Sequence, residues 1–176
     1  MAGIDESRSF VALRIAVLTV SDSRTPETDR SGDVLSNKVQ DAGHTLAGRA
    51  IVRDDERAIR AQIEQWIGGV HVDAIVTTGG TGLTGRDVTP EALRPLFTKE
   101  ITGFAHAFHQ VSLGTIGLST LQSRACAGLV GHVPVFALPG SPGAVTDGWD
   151  EVIRYQLDSR YRPCNLVEIM PRFLER

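Results

Sequence analysis

The segment Asp73-Ala74-Ile75-Val76-Thr77-Thr78-Gly79-Gly80-Thr81-Gly82-Leu83-Thr84-Gly85 runs aliphatic and β-branched residues straight into a glycine-rich turn. Its apolar residues are consecutive rather than alternating, the pattern of a strand covered on both faces. After Arg86-Asp87-Val88, Thr89-Pro90-Glu91 predicts a helix start, with a capping hydroxyl and a proline at the first helical position. Strand, turn and helix in that order open a βαβ unit, and the chain on either side repeats the arrangement. Upstream, Leu13 to Val20 reads as a buried strand, followed by a polar loop, Ser21 to Arg30, long for a strand-to-helix connection. Ser31 is placed to cap a helix through Val34, Leu35 and Val39, with Gly43 as its stop. Ala47 to Val52 predicts another strand. Asp54 or Asp55 then caps a helix carrying Ile59, Ile63, Trp66 and Ile67 at helical spacing, stopped by Gly68-Gly69.

Downstream, helical pattern continues through Phe97, from Ile101 to Val111, and from Leu118 to Ala127. Val133 to Leu138 predicts the last clear strand. Pro139-Gly140-Ser141-Pro142-Gly143 follows it, and Val145, Trp149, Val152, Ile153 and Gln156 line a final amphipathic helix. The fold class expected is α/β: a doubly wound, mostly parallel sheet with helices on both faces. It forms one domain over residues 13–176 behind a short N-terminal tail, residues 1–12. Both tryptophans fall on apolar helix faces and read as packing, and the surroundings of Phe104 and Phe108 are expected to form an exposed interface.

Composition bounds the function. With 41% hydrophobic and 22% charged residues over 176 positions, the chain can bury a core without a metal or disulfide staple. Its two cysteines, Cys126 and Cys164, form no C-x-x-C pair, which argues against a zinc ribbon. A net charge of −3 with only Lys38 and Lys99 as lysines excludes a phosphate-neutralising nucleic-acid surface and a basic lipid patch. No apolar run reaches the roughly 20 residues of a membrane span, and the first ten residues do not resemble a signal peptide, so a cytoplasmic protein is expected.

Two loops carry chemistry. Around Thr78, Gly79, Gly80, Thr81 and Gly82 the backbone can approach a ligand and turn several amides toward one point, next to the helix at Thr89. In Pro139, Gly140, Ser141 and Pro142, Ser141 serves as N-cap and Pro142 as first helical residue, again aiming amides at a strand end. Two such mouths suggest a ligand with phosphates at more than one place. Carboxylates there would repel phosphate unless a cation bridges them, so Asp55 and Asp87, with Asp22 after the first strand, are candidates to hold Mg²⁺. Each also has a plain structural reading, as a helix cap or a turn residue. Gly80 to Gly85 matches G-x-G-x-x-G literally, but Arg86 to Pro90 intervene before the helix and Glu100, the acid at the required distance, lies in a helical stretch, against a nicotinamide or flavin site. No Walker lysine follows. His106 and His109 sit one helical turn apart without a third ligand, and Cys126 reads as core.

Thr77-Thr78-Gly79-Gly80-Thr81-Gly82, Gly85-Arg86-Asp87-Val88-Thr89-Pro90-Glu91-Ala92 and Leu138-Pro139-Gly140-Ser141-Pro142 together resemble the MoaB/MogA family of molybdenum cofactor biosynthesis. The likeness runs from about Arg14 onward. It is closest to the MoaB branch, through Ala58-Ile59-Arg60-Ala61-Gln62, Glu91 to Phe97, Ser119 to Ala125 and Arg162-Pro163-Cys164-Asn165. The resemblance implies a molybdopterin-binding α/β domain that self-associates to a trimer or hexamer and meets other proteins of that pathway. It also implies Mg²⁺-dependent adenylylation of molybdopterin by ATP, releasing pyrophosphate before molybdenum insertion. The functional acids it implies are Asp87 and Asp55, with adjacent Asp54 as the alternative for the second. The glycine loop would cradle phosphate and the Pro139–Pro142 loop would seat the pterin. Ser21 and Asp22 would add polar contacts. Because no lysine stands in Ser141-Pro142-Gly143, Arg86 or backbone amides would meet the pterin phosphate. A pterin-binding carrier without catalysis is the alternative, and a nucleotide-dependent oxidoreductase a distant second.

Overall fold

The computed structural model describes residues 2–69 and 71–175. Its elements are β1 (Gly3–Ile4), β2 (Arg14–Val20), α1 (Arg30–Asp41), β3 (Thr45–Val52), α2 (Glu56–Gly69), β4 (Ala74–Thr78), α3 (Thr89–Leu93), β5 (Lys99–Glu100), α4 (Thr102–Ile116), β6 (Cys126–Val130), β7 (Val133–Leu138), α5 (Pro142–Gly148), α6 (Arg154–Gln156), β8 (Tyr161–Arg162) and α7 (Leu166–Ile169). The main sheet has the order β3-β2-β4-β7-β6-β5, parallel from β3 to β7 and antiparallel beyond. Residues 15–20 of β2 are buried without a break because both faces are covered. Ile15, Val17 and Phe136 face α1, α4 and the α5 end, in a cluster with Leu35, Phe108 and Trp149. Ala16, Leu18 and Val135 face the opposite layer of α2 and α3, with Ile59, Ile63 and Trp66. Each fully buried aliphatic side chain contributes about 2 kcal/mol, so this two-sided burial holds β2 and β4 at the centre of the sheet.

Register fixes where the loops emerge. Val20 lies opposite Val52, Thr19 opposite Thr78, and Thr78 opposite Leu138, so the carboxyl ends of β2, β3, β4 and β7 finish at one level. From β2 the chain passes to β3 on one side and then returns to β4 on the other, a switch that leaves a crevice between the departing loops.

Several expectations are revised. Leu118 to Ala127 is helical only in its first half: Gly117, at φ +58°, ends α4, a 3-10 helix covers Gly117–Gln122, and β6 follows as an antiparallel neighbour of β7. The small buried run Cys126-Ala127-Gly128 suits a close strand pairing better than a helix face. Glu100 lies in a short edge strand, ion-paired with Arg94, rather than in a helix. Asp29, not Ser31, caps α1, and Thr89 does not cap α3. Phe104 and Phe108 are buried, and the exposed apolar residues nearby are Leu113, Ile116, Leu118 and Leu121. Residues 2–12 are tied back: β1 pairs antiparallel with β8, and the Val11 amide donates to Ser159 Oγ. Among the described residues no helix is long and apolar enough to cross a membrane.

Candidate functional site

Thr78 ends β4, and its hydroxyl donates to the Pro139 carbonyl at 2.9 Å, while the Gly79 amide donates to the Leu138 carbonyl. These bonds stitch the glycine loop to the proline loop. Gly79 has φ +100° and Gly80 φ +63°, conformations that exclude side chains without strain. Space excludes them too: a methyl on Gly79 would lie 2.2 Å from the Val20 carbonyl oxygen, and one on Gly80 only 2.4 Å from Thr89 Oγ1. Thr89, buried, donates its hydroxyl to the Gly79 carbonyl at 2.8 Å, so it braces the loop instead of capping a helix. Both loops open into one crevice of about 500 Å³, which Thr78, Gly79, Gly80, Thr81, Gly82, Pro139, Gly140 and Ser141 line together with Ser21. Ser141 caps α5 through the Ala144 amide. Pro142 faces a side pocket next to the crevice.

The acids separate by role. Asp55 accepts from the Ala58 amide at 2.9 Å, holds the start of α2, and faces an outer groove. Asp54 lines the crevice, its Oδ1 being 3.0 Å from where a Gly80 methyl would stand. Asp87 lines it as well, with Oδ2 accepting from the amide (2.9 Å) and hydroxyl (2.6 Å) of Thr84. Burial, then the charges of Asp22 and Asp87, push the Asp54 carboxyl above its ordinary value. Burial opposes ionisation of Asp87 too, but hydrogen bonds from Thr84 and the Gly82 amide and the charge of Arg124 outweigh it and leave that carboxyl lowered. Among the described residues no group of three His, Cys, Asp or Glu side chains forms a metal cage. The two carboxylates of Asp54 and Asp87 beside the glycine loop are the donor set open to Mg²⁺, which is usually held by one or two carboxylates plus substrate oxygens.

Asp22 and Arg86 stand outside the crevice. Arg86 reaches Asp22 Oδ2 with Nε at 2.9 Å and Nη2 at 2.5 Å, while Asp22 and Asp54 exchange backbone-amide bonds with each other's carboxylates. Arg86 is therefore already engaged and not aimed at a ligand in the crevice. Cys126 is core, its thiol pushed up to about 11 by burial, and His109 is spent on Thr120 at 2.8 Å.

Sequence reasoning overlooked two parts. The first is a hydroxyl-rich wall of Ser112, Ser119, Thr120 and Ser123 at the end of α4 and the following turn, brought to the crevice by the break at Gly117. The second is Arg124, whose Nε and Nη2 donate to the Gly82 and Asp87 carbonyls at 2.8 and 2.7 Å and whose Nη1 pairs with Glu91. Its own amide donates to the Thr81 carbonyl, so this residue ties the wall to the glycine loop. Arg124→Met is expected to cost about 3 kcal/mol, since charged hydrogen bonds are lost and carbonyls left unpaired. Arg124→Lys should recover less than half, because an ammonium lacks the planar fork. Thermal melts and amide exchange over residues 80–87 check this; unchanged exchange there in Arg124→Met would contradict it.

Residues 16–159 match the family described as a probable molybdopterin binding domain. The chain is 48% identical over 159 residues to Molybdenum cofactor biosynthesis protein B of Escherichia coli K12, covering 90% of this chain and 94% of that relative. A crystal structure of a Molybdenum cofactor biosynthesis protein B superposes with TM-score 0.85 at 36% identity, covering 96% of this chain and all (100%) of the other. The chain belongs to the MoaB/MogA family. The tungsten cofactor synthesizing protein MoaB from Pyrococcus furiosus shares the fold at TM-score 0.78 and 32% identity, over 93% of this chain and 98% of that one. The mostly parallel sheet with flanking helices matches the MoaB/MogA structures.

Proposed function

We propose that the crevice binds molybdopterin and ATP end to end and transfers the adenylyl group to the pterin phosphate, within molybdenum cofactor biosynthesis. The observation that carries this reading is the opening of the Gly79–Gly82 and Pro139–Ser141 loops into one cavity, with Asp54 and Asp87 beside the glycines.

The attacking group is the terminal phosphate of molybdopterin, already ionised at neutral pH, so no general base is required. Its oxygen forms a bond to the α-phosphorus as the bond from that phosphorus to the α–β bridging oxygen breaks, and pyrophosphate departs. The protein's task is alignment and dispersal of charge. Amides of the glycine loop, fixed by Thr78, Thr89 and Arg124, supply preorganised donors. Asp54 and Asp87 are the residues that would hold Mg²⁺, and when bound it neutralises charge on the departing pyrophosphate. Asp55 serves as a helix cap in this scheme.

The test is to incubate the purified protein with molybdopterin, ATP and Mg²⁺ and to follow both products. Adenylylated pterin and pyrophosphate should accumulate one for one, and chelating the metal should stop them. Binding of molybdopterin without any adenylylated product would favour the carrier reading instead.

A further inference from the structure

Of the described residues lining the crevice, only Arg24 carries positive charge, against the negative charges of Asp54 and Asp87. Three other arginines nearby are committed, Arg86 to Asp22, Arg124 to Glu91, and Arg49 to Asp29 and Asp33, while Arg53 lines the outer groove and not the crevice. Arg24 pairs with no carboxylate among the described residues. Its guanidinium makes one long bond, from Nη1 to the Thr28 carbonyl at 3.4 Å, which leaves most of its donors available.

The backbone beneath Arg24 is well anchored. The Ser21 hydroxyl accepts from the amides of Ser23 and Arg24, both at 3.2 Å, at the near end of the loop. At the far end the fully buried Asp29 accepts from the Thr19 hydroxyl at 2.7 Å and the Gly32 amide at 3.0 Å. Between these ends Thr25 and Thr28 exchange bonds with each other. Beside the crevice lies a polar side pocket of about 320 Å³, and Arg24, Ser31 and Gly140 line both cavities. Arg30 adds a second cation and Glu27 one opposing charge to the side pocket.

We infer that Arg24 is the anion-recognising side chain of this site, and that it takes a phosphoryl group where the crevice meets the side pocket, assisted by the hydroxyls of Ser31 and Ser141. This rests on the reading that the ligands carry phosphates, and it reassigns the role that the sequence suggested for Arg86. A guanidinium presents paired donors to phosphoryl oxygens, and the anchored backbone leaves only the Arg24 side chain to be ordered on binding.

Isothermal titration of the full chain with inorganic pyrophosphate in metal-free buffer tests it. Arg24→Ala is expected to weaken binding at least about tenfold, the loss of a charge-assisted pair, with Arg24→Lys intermediate. Arg86→Ala should stay within about twofold of the parent, because that arginine is already paired with Asp22. Absence of pyrophosphate binding by the parent protein, undiminished binding by Arg24→Ala, or an equal loss in Arg86→Ala would each overturn the assignment. Circular dichroism and melting of Arg24→Ala, an exposed position, establish that the variant is folded. The titration stands apart from turnover: Arg24-dependent pyrophosphate binding in a protein that makes no adenylylated pterin keeps this inference and removes the catalytic one.

Discussion

Asp87→Asn is expected to lower adenylyl transfer by roughly a thousandfold, the scale of losing one charged contact to the reacting phosphates, about 4 kcal/mol. Molybdopterin affinity should change little. The substitution is gentle on structure because an asparagine oxygen still accepts from the Thr84 amide and hydroxyl, the bonds that shape residues 82–87. What disappears is the charge. The same change has a signature in stability. The folded Asp87 carboxyl is lowered, so its stabilising contribution is present above the ordinary carboxylate value and is lost as pH falls through the folded one. Asp87→Asn should therefore melt below the parent at neutral pH, with the gap closing in acid. Turnover close to the parent's in this variant would remove Asp87 from the chemistry.

The second large effect separates two adjacent acids. Asp54→Asn is expected to reduce transfer by a factor on the order of 10²–10³, whereas Asp55→Ala should leave turnover within about twofold and cost about 1 kcal/mol of stability as a lost helix cap. Asp54 also has the opposite pH signature. Burial, with Asp22 and Asp87 behind it, raises its folded carboxyl, so its contribution is complete below the ordinary value and is lost as pH rises through the raised one. Metal-free Asp54→Asn should accordingly melt above the parent at neutral pH and match it in strong acid. Full activity in Asp54→Asn together with collapse of activity in Asp55→Ala would return the role to Asp55. Steady-state kinetics and melting curves across pH provide both readouts.

Much of the fold was legible from residue pattern alone. Short consecutive apolar, β-branched-rich runs in Leu13–Val20, Asp73–Thr78 and Val133–Leu138 read as strands covered on both faces, and glycine- or proline-rich turns follow two of them. That is enough to foresee the parallel centre of the sheet and the two loops that meet over it. The segment after α4 was misread because small apolar residues such as Cys126-Ala127-Gly128 suit either a helix face or a tight strand pair; pairing with β7, remote in sequence, decides it.

Side-chain allegiance was the part hidden from sequence. Asp54 and Asp55 are equivalent as letters, yet once α2 begins at Glu56 only Asp55 reaches the Ala58 amide, and Asp54 is left facing the glycines. Arg86 and Arg24 likewise carry identical charge, but the bond from Arg86 to Asp22 spans 64 residues of chain and takes that cation out of the crevice. Local pattern determined the strands, the turns and the chemistry available at their ends, because those depend on near neighbours. Only the tertiary structure decided which acid and which arginine line the crevice, because hydrogen bonds and ion pairs are settled by groups that sequence separation keeps apart and folding brings within 3 Å.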